Sequence, residues 1–112
     1  MSQFTFSLMV IAGLVLPLSA TAAPQAQEYR IVIKNHRFEP AEVVVPAGQK
    51  LQLVVENQDA TPEEFESHAL NREKVIPGNS KANIFIGPLK PGSYDFVGEY
   101  HEDTARGKII AK

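Results

Sequence analysis

The chain has no cysteine, and both of its methionines, Met1 and Met9, lie near the N-terminus. Beyond Met9 there is no sulfur at all. Exported proteins of this size often use disulfides to supplement a small core; here packing alone must hold the fold. Every soft metal ligand is absent as well. No sign of charge dominates: 11 Lys and Arg face 13 Asp and Glu, a formal net charge of −2. Neither nucleic acid nor an anionic membrane surface is therefore an obvious partner. Hydrolase signatures are missing too. There is no thiol nucleophile, no Gly-x-Ser-x-Gly elbow and no phosphate-binding glycine loop. A Ser67, His101 and Asp103 set has no spacing that would recommend it as a triad.

The one long apolar run, FTFSLMVIAGLVLPL (residues 4–18), is short for a membrane span of ~20 residues. Small residues follow it, and Ala20-Thr21-Ala22 fits a signal-peptidase site. The expectation is a signal peptide over residues 1–22, cut after Ala22, and hence export to the periplasm. Pro24 disfavours a cut after Ala23. No Lys or Arg precedes the run, which is the feature an uncleaved anchor would share. Residues 23–28 read as a polar leader, and residues 29–112 as one domain.

Within that domain the signals are those of strands. YRIVIKN (29–35) puts Tyr29, Ile31 and Ile33 on one face. EVVV (42–45) ends at Pro46-Ala47-Gly48. KLQLVVEN (50–57) turns Leu51, Leu53 and Val55 inward. REKVI (72–76), ANIFIG (82–87), SYDFVG (93–98) and GKIIA (107–111) complete the set. Short alternating runs separated by Pro/Gly turns predict an all-β sandwich or barrel. No segment keeps a 3.6-residue period. Residues 58–71, QDATPEEFESHALN, read as irregular.

Three histidines are present: His36, His68 and His101. EEFESH places Glu64, Glu66 and His68 at alternate positions, hence on one side if the segment is extended. GEYHED places Glu99 two residues before His101. Imidazole and carboxylate suit iron, manganese, zinc or oxidised copper. The two segments could build one metal site from His68, His101, Glu66 and Glu99, with Glu64 the unranked alternative carboxylate. Glu63 and Glu102 read as solvated surface carboxylates. His36, in NHRFEP, reads as an exposed turn residue, and Tyr100 as a rim or packing aromatic.

FEPAEVVVPAGQKLQLVVENQD and IGPLKPGSYDFVGEYHEDTARGKIIA resemble the two halves of a small cupredoxin, which implies a Greek-key β-sandwich. EEFES, REKV and GEYH narrow the likeness to the cupredoxin-like proteins of bacterial iron uptake, of the Efe and Ftr type. That resemblance implies iron or copper as the bound metal and an inner-membrane iron permease as partner. It matches His68 and His101 to the two copper histidines. Gly98 then stands at the cysteine position and Ala105 at the methionine position. A blue copper centre depends on a copper–thiolate bond, so ordinary blue-copper electron transfer is excluded by chemistry. Gly98 shares the parity of Tyr94 and Phe96 and should face the vacated niche, leaving room there for Glu66 or Glu99. Two other readings stand beside this one: a periplasmic copper(II)-binding or trafficking protein, and a metal-free interaction module.

Overall fold

The computed structural model describes residues 2–5, 9–16 and 26–112. The expected cleavage site at Ala20–Ala22 lies outside the described residues. Among those before the domain, Phe4, Met9, Val10, Ile11, Leu14, Val15 and Leu16 are all exposed and join no core.

Among the described residues, nine strands form two sheets. In chain order they are β1 (Gln27–Lys34), β2 (Arg37–Glu39), β3 (Glu42–Val45), β4 (Leu51–Asn57), β5 (Glu63–Ser67), β6 (Arg72–Ile76), β7 (Ser80–Ile86), β8 (Gly92–Gly98) and β9 (Arg106–Ala111). One sheet has the order β2-β1-β4-β7 and the other β3-β9-β8-β5-β6. The pairs β1–β4 and β3–β9 are parallel, and the remaining neighbours antiparallel. Parallel neighbours cannot be joined by a tight turn. The chain therefore crosses between sheets, and the result is an all-β sandwich of the cupredoxin kind.

Alternation sets the layers. On β4 the burial pattern is strictly two-fold, with Leu51, Leu53 and Val55 all fully buried. Ile31 and Ile33 of β1 face them from the neighbouring strand in the same sheet. The opposite sheet contributes Phe65, Phe96 and Ile109. Three aromatic rings knit one end of this core. Phe96 lies 4.9 Å from Phe38 edge-on and 5.0 Å from Phe65 in a stacked pose, the offsets that ring quadrupoles favour.

Two expectations are corrected. β1 starts at Gln27, so the polar leader ends two residues earlier than its composition implied. The segment 58–71 is not irregular throughout, because it contains β5. Its inward positions are Glu63, Phe65 and Ser67, and two polar residues on the core face hide the alternation that marks other strands.

Candidate metal centre

The loop joining β8 to β9 carries His101. Its first turn is a 3₁₀ helix over Glu99–His101. The amides of Thr104 and Ala105 donate to the His101 carbonyl, and Gly98 N–H donates to the Ala105 carbonyl at 2.8 Å, closing the loop. These bonds turn the His101 ring toward the core end of β5.

There it meets Glu63. This side chain is 1% exposed. Its Oε1 accepts the backbone N–H groups of Glu64 and Tyr100, each at 3.0 Å, and its Oε2 lies 2.5 Å from His101 Nδ1. A carboxylate taken out of water needs such partners, because an unpaired buried charge is costly. The third member is His36. Its ring stacks on that of His101, with centroids 3.6 Å apart and planes 12° from parallel. One donor atom from each of His36, Glu63 and His101 lies within 4.8 Å of the others.

Gly98 explains why the carboxylate fits. A Cβ built on Gly98 would stand 2.7 Å from Glu63 Cδ, 2.9 Å from its Oε1 and 2.6 Å from the Ala105 Cβ. The niche that a side chain at position 98 would fill is taken by Glu63. Gly98 does face the site, but the carboxylate that enters is neither Glu66 nor Glu99.

Of the residues expected from sequence, His101 is at this site and His68 is not. Among the described residues, no group of three potential ligands contains both histidines. The cause is strand geometry. Glu63 opens β5 and His68 follows its end, so five residues of extended chain set them roughly 16 Å apart. They also point to opposite faces. His68 is 96% exposed, and its nearest carboxylate is Glu66 at 3.6 Å.

Glu64, Glu66 and Glu99 do come together, but on the outer face of the sheet and around Glu73 rather than His101. Glu64, Glu73 and Glu99 form one carboxylate cluster, and Glu66 pairs with Glu73 across the β5–β6 register. Two of these carboxyls, Glu64 and Glu66, have their proton affinity raised by the others. A hydrogen bond to the Glu73 carboxyl, together with burial and Glu99, pushes Glu64 up to about 7. Glu66 is raised as well, chiefly by its hydrogen bond with Glu99.

Two residues of the site escape a reading of the sequence. A Glu next to three other acidic or polar residues looks solvated, yet Glu63 has the inward parity of Phe65. His36 looks like a turn residue, and it is one, but the turn folds over the His101 loop. The parity of Phe65, the one large apolar residue of EEFES, was the signal that would have singled out Glu63.

The donor set fits a metal of borderline or hard character. Two imidazoles and one carboxylate, without sulfur, suit iron, zinc or copper(II). The Glu63 Oε2 and His101 Nδ1 atoms that face each other are both potential ligand atoms, and metal binding at such sites releases protons.

Residues 7–111 match the model of the cupredoxin-like domain. The chain belongs to that family. The uncharacterized protein RP394 of Rickettsia prowazekii (strain Madrid E) is 49% identical over 83 residues, which are 74% of this chain. The chain spans 66% of that relative's length. Two solved structures show the same fold at low identity. One is auracyanin A, a "blue" copper protein from Chloroflexus aurantiacus, at TM-score 0.67 and 15% identity, covering 79% of this chain and all of that one. The other is a copper binding protein solved in its apo form, at TM-score 0.69 and 17% identity, covering 81% of this chain and 92% of that one. This cupredoxin-like domain has no cysteine.

Proposed function

We propose that this cupredoxin-like protein is exported to the periplasm and binds a metal ion through His36, Glu63 and His101, in the service of bacterial ferrous-iron uptake. The observation that carries the metal site is the buried Glu63 carboxylate, shared with one imidazole and capped by a second stacked ring. The resemblance of EEFES, REKV and GEYH to the Efe and Ftr type supports the iron-uptake role. Iron is then cargo, captured as the ferrous ion and passed to an inner-membrane permease.

The chemistry of the donors bears on the redox state of that cargo. An anionic oxygen ligand favours ferric over ferrous iron, so this site eases loss of an electron. The bias equals the ratio of the two affinities, about 1.4 kcal/mol per tenfold. Oxidation would pass that electron to dioxygen or to a second metalloprotein.

A second reading is a copper(II)-binding or trafficking protein. The two structural relatives above are described as copper proteins, and imidazole sites hold copper(II) more tightly than iron(II). Calorimetric titration of the domain with iron(II), copper(II) and zinc(II), the iron arm anaerobic, decides between these and a metal-free interaction module. His101→Ala is expected to lose at least tenfold in affinity, and His68→Ala to bind as the parent does. Equal binding by parent and His101→Ala would sink the assignment. Absence of binding by the parent would favour the interaction module. Iron accumulation by cells lacking the protein tests the physiological role.

A further inference from the structure

We propose that Asp59 is a positioning residue of this site, holding the Asn35–His36 turn in a left-handed conformation so that His36 stays stacked over His101. The inference rests on the metal-site reading above and adds to it the residue that builds one of its arms.

The turn is unusual in sequence. Strands β1 and β2 pair through Lys34 and Arg37, leaving two residues between them. Asn35 and His36 have φ of 52° and 55°. Positive φ at both central residues is the type I′ turn, which matches strand twist and favours Asn followed by Gly. Asn at the first position is ordinary. Histidine at the second is not, since its Cβ crowds the left-handed region that glycine enters freely.

Something must hold it there, and Asp59 does. Its Oδ1 accepts Asn35 N–H at 2.8 Å and its Oδ2 accepts His36 N–H at 3.0 Å. Both amides of the turn thus end on one carboxylate. Oδ2 also lies 3.4 Å from His36 Nδ1. The carboxylate therefore lies beside the ring as well as under the turn, the placement by which an outer carboxylate orients a histidine ligand. The carboxylate is itself fixed. Asp59 N–H donates to Asn57 Oδ1 at 3.0 Å, and buried Asn57 donates to the Thr61 and Ile76 carbonyls. From the other side Thr104 Oγ1 donates to the His36 carbonyl at 2.6 Å. Thr104 belongs to the loop that carries His101, so the two rings are tied through the backbone as well as by stacking.

If the conformation is held for the sake of the ring, removing the ring should relieve the fold and weaken the site. In the metal-free protein His36→Gly is expected to raise the unfolding midpoint by roughly 2–6 °C. The same variant should bind copper(II), the probe metal, at least tenfold more weakly in competition with a chelator. Asp59→Asn should weaken copper(II) by about tenfold, change the copper(II) electron paramagnetic resonance spectrum, and speed amide exchange at Asn35 and His36 without metal. In the His36→Gly background Asp59→Asn should cost no further affinity, because Asp59 acts through His36. Asp59→Glu, which keeps the charge but overreaches the turn, is the second variant if Asp59→Asn does not fold, with the same losses expected.

The proposal is overturned if His36→Gly lowers the metal-free midpoint. It is also overturned if substitution of Asp59 leaves affinity and spectrum at the parent's values, or costs the same in both backgrounds. His101→Ala separates the two levels. If it too leaves copper binding intact, the site itself is misassigned. If it abolishes binding while Asp59 is silent, only the positioning role falls.

Discussion

Glu63 is the residue on which the site turns. It is buried and fully partnered, by two amides and one imidazole. Glu63→Gln keeps its shape but removes the charge, and is expected to weaken metal binding by at least tenfold, or about 1.4 kcal/mol. Titration of the variant beside the parent checks this; unchanged affinity would move the site elsewhere. Gly98 is the matching vacancy. Gly98→Ala puts a methyl against Ala105 and Glu63, and overpacking of this kind typically costs about 1–3 kcal/mol. Chemical denaturation of the metal-free protein reads that loss. Composition and parity alone place Gly98 toward the site and exclude a thiolate. Glu63 was hidden in the sequence because composition makes a run of acidic residues look solvated; only the shared parity with Phe65, once the run is recognised as a strand, points it inward.

At the scale of elements, β5 divides its residues between two chemistries. Glu63, Phe65 and Ser67 face the core, while Glu64 and Glu66 join Glu73 and Glu99 outside. The expected alternation of Glu64, Glu66 and His68 is real, but it belongs to the outer face. Its consequence is a pH dependence with a definite sign. Native Glu64 holds its proton up to about 7, against 4.5 for the ordinary group. Between those values the native chain binds more protons than the unfolded one. This cluster's contribution to stability therefore falls as pH rises from about 4.5 to 7. Glu73→Gln removes the largest cause, so it should raise the unfolding temperature at pH 8 and change it little at pH 4. Thermal unfolding at the two pH values checks this, and equal shifts at both would refute it. The strands with clean apolar alternation, β1, β4, β8 and β9, were legible because their burial is one-sided. β2 was not: at three residues, Arg37–Glu39, it has a single buried position, Phe38, and no period to read.

Over the whole molecule, the sandwich concentrates its aromatic packing beneath the site. Phe38 follows the His36 turn, Phe65 follows Glu63, and Phe96 precedes Gly98, so each arm of the site is rooted in one ring of the same cluster. Phe65→Ala is expected to cost about 3–5 kcal/mol and to loosen metal binding with it. A variant that loses that stability yet keeps parental affinity would show the site to be independent of the core beneath. The residues before Ala26 are a separate matter: those described are exposed, and their removal should leave the unfolding midpoint of the domain where it was. The interlock of Gly98, Glu63 and Ala105 also limits what position 98 can become. A cysteine placed at position 98 would collide with the Glu63 carboxylate, while removing that carboxylate first would leave two backbone amides and an imidazole without their partner. Engineering a thiolate ligand into this sandwich thus requires paired changes at positions 63 and 98.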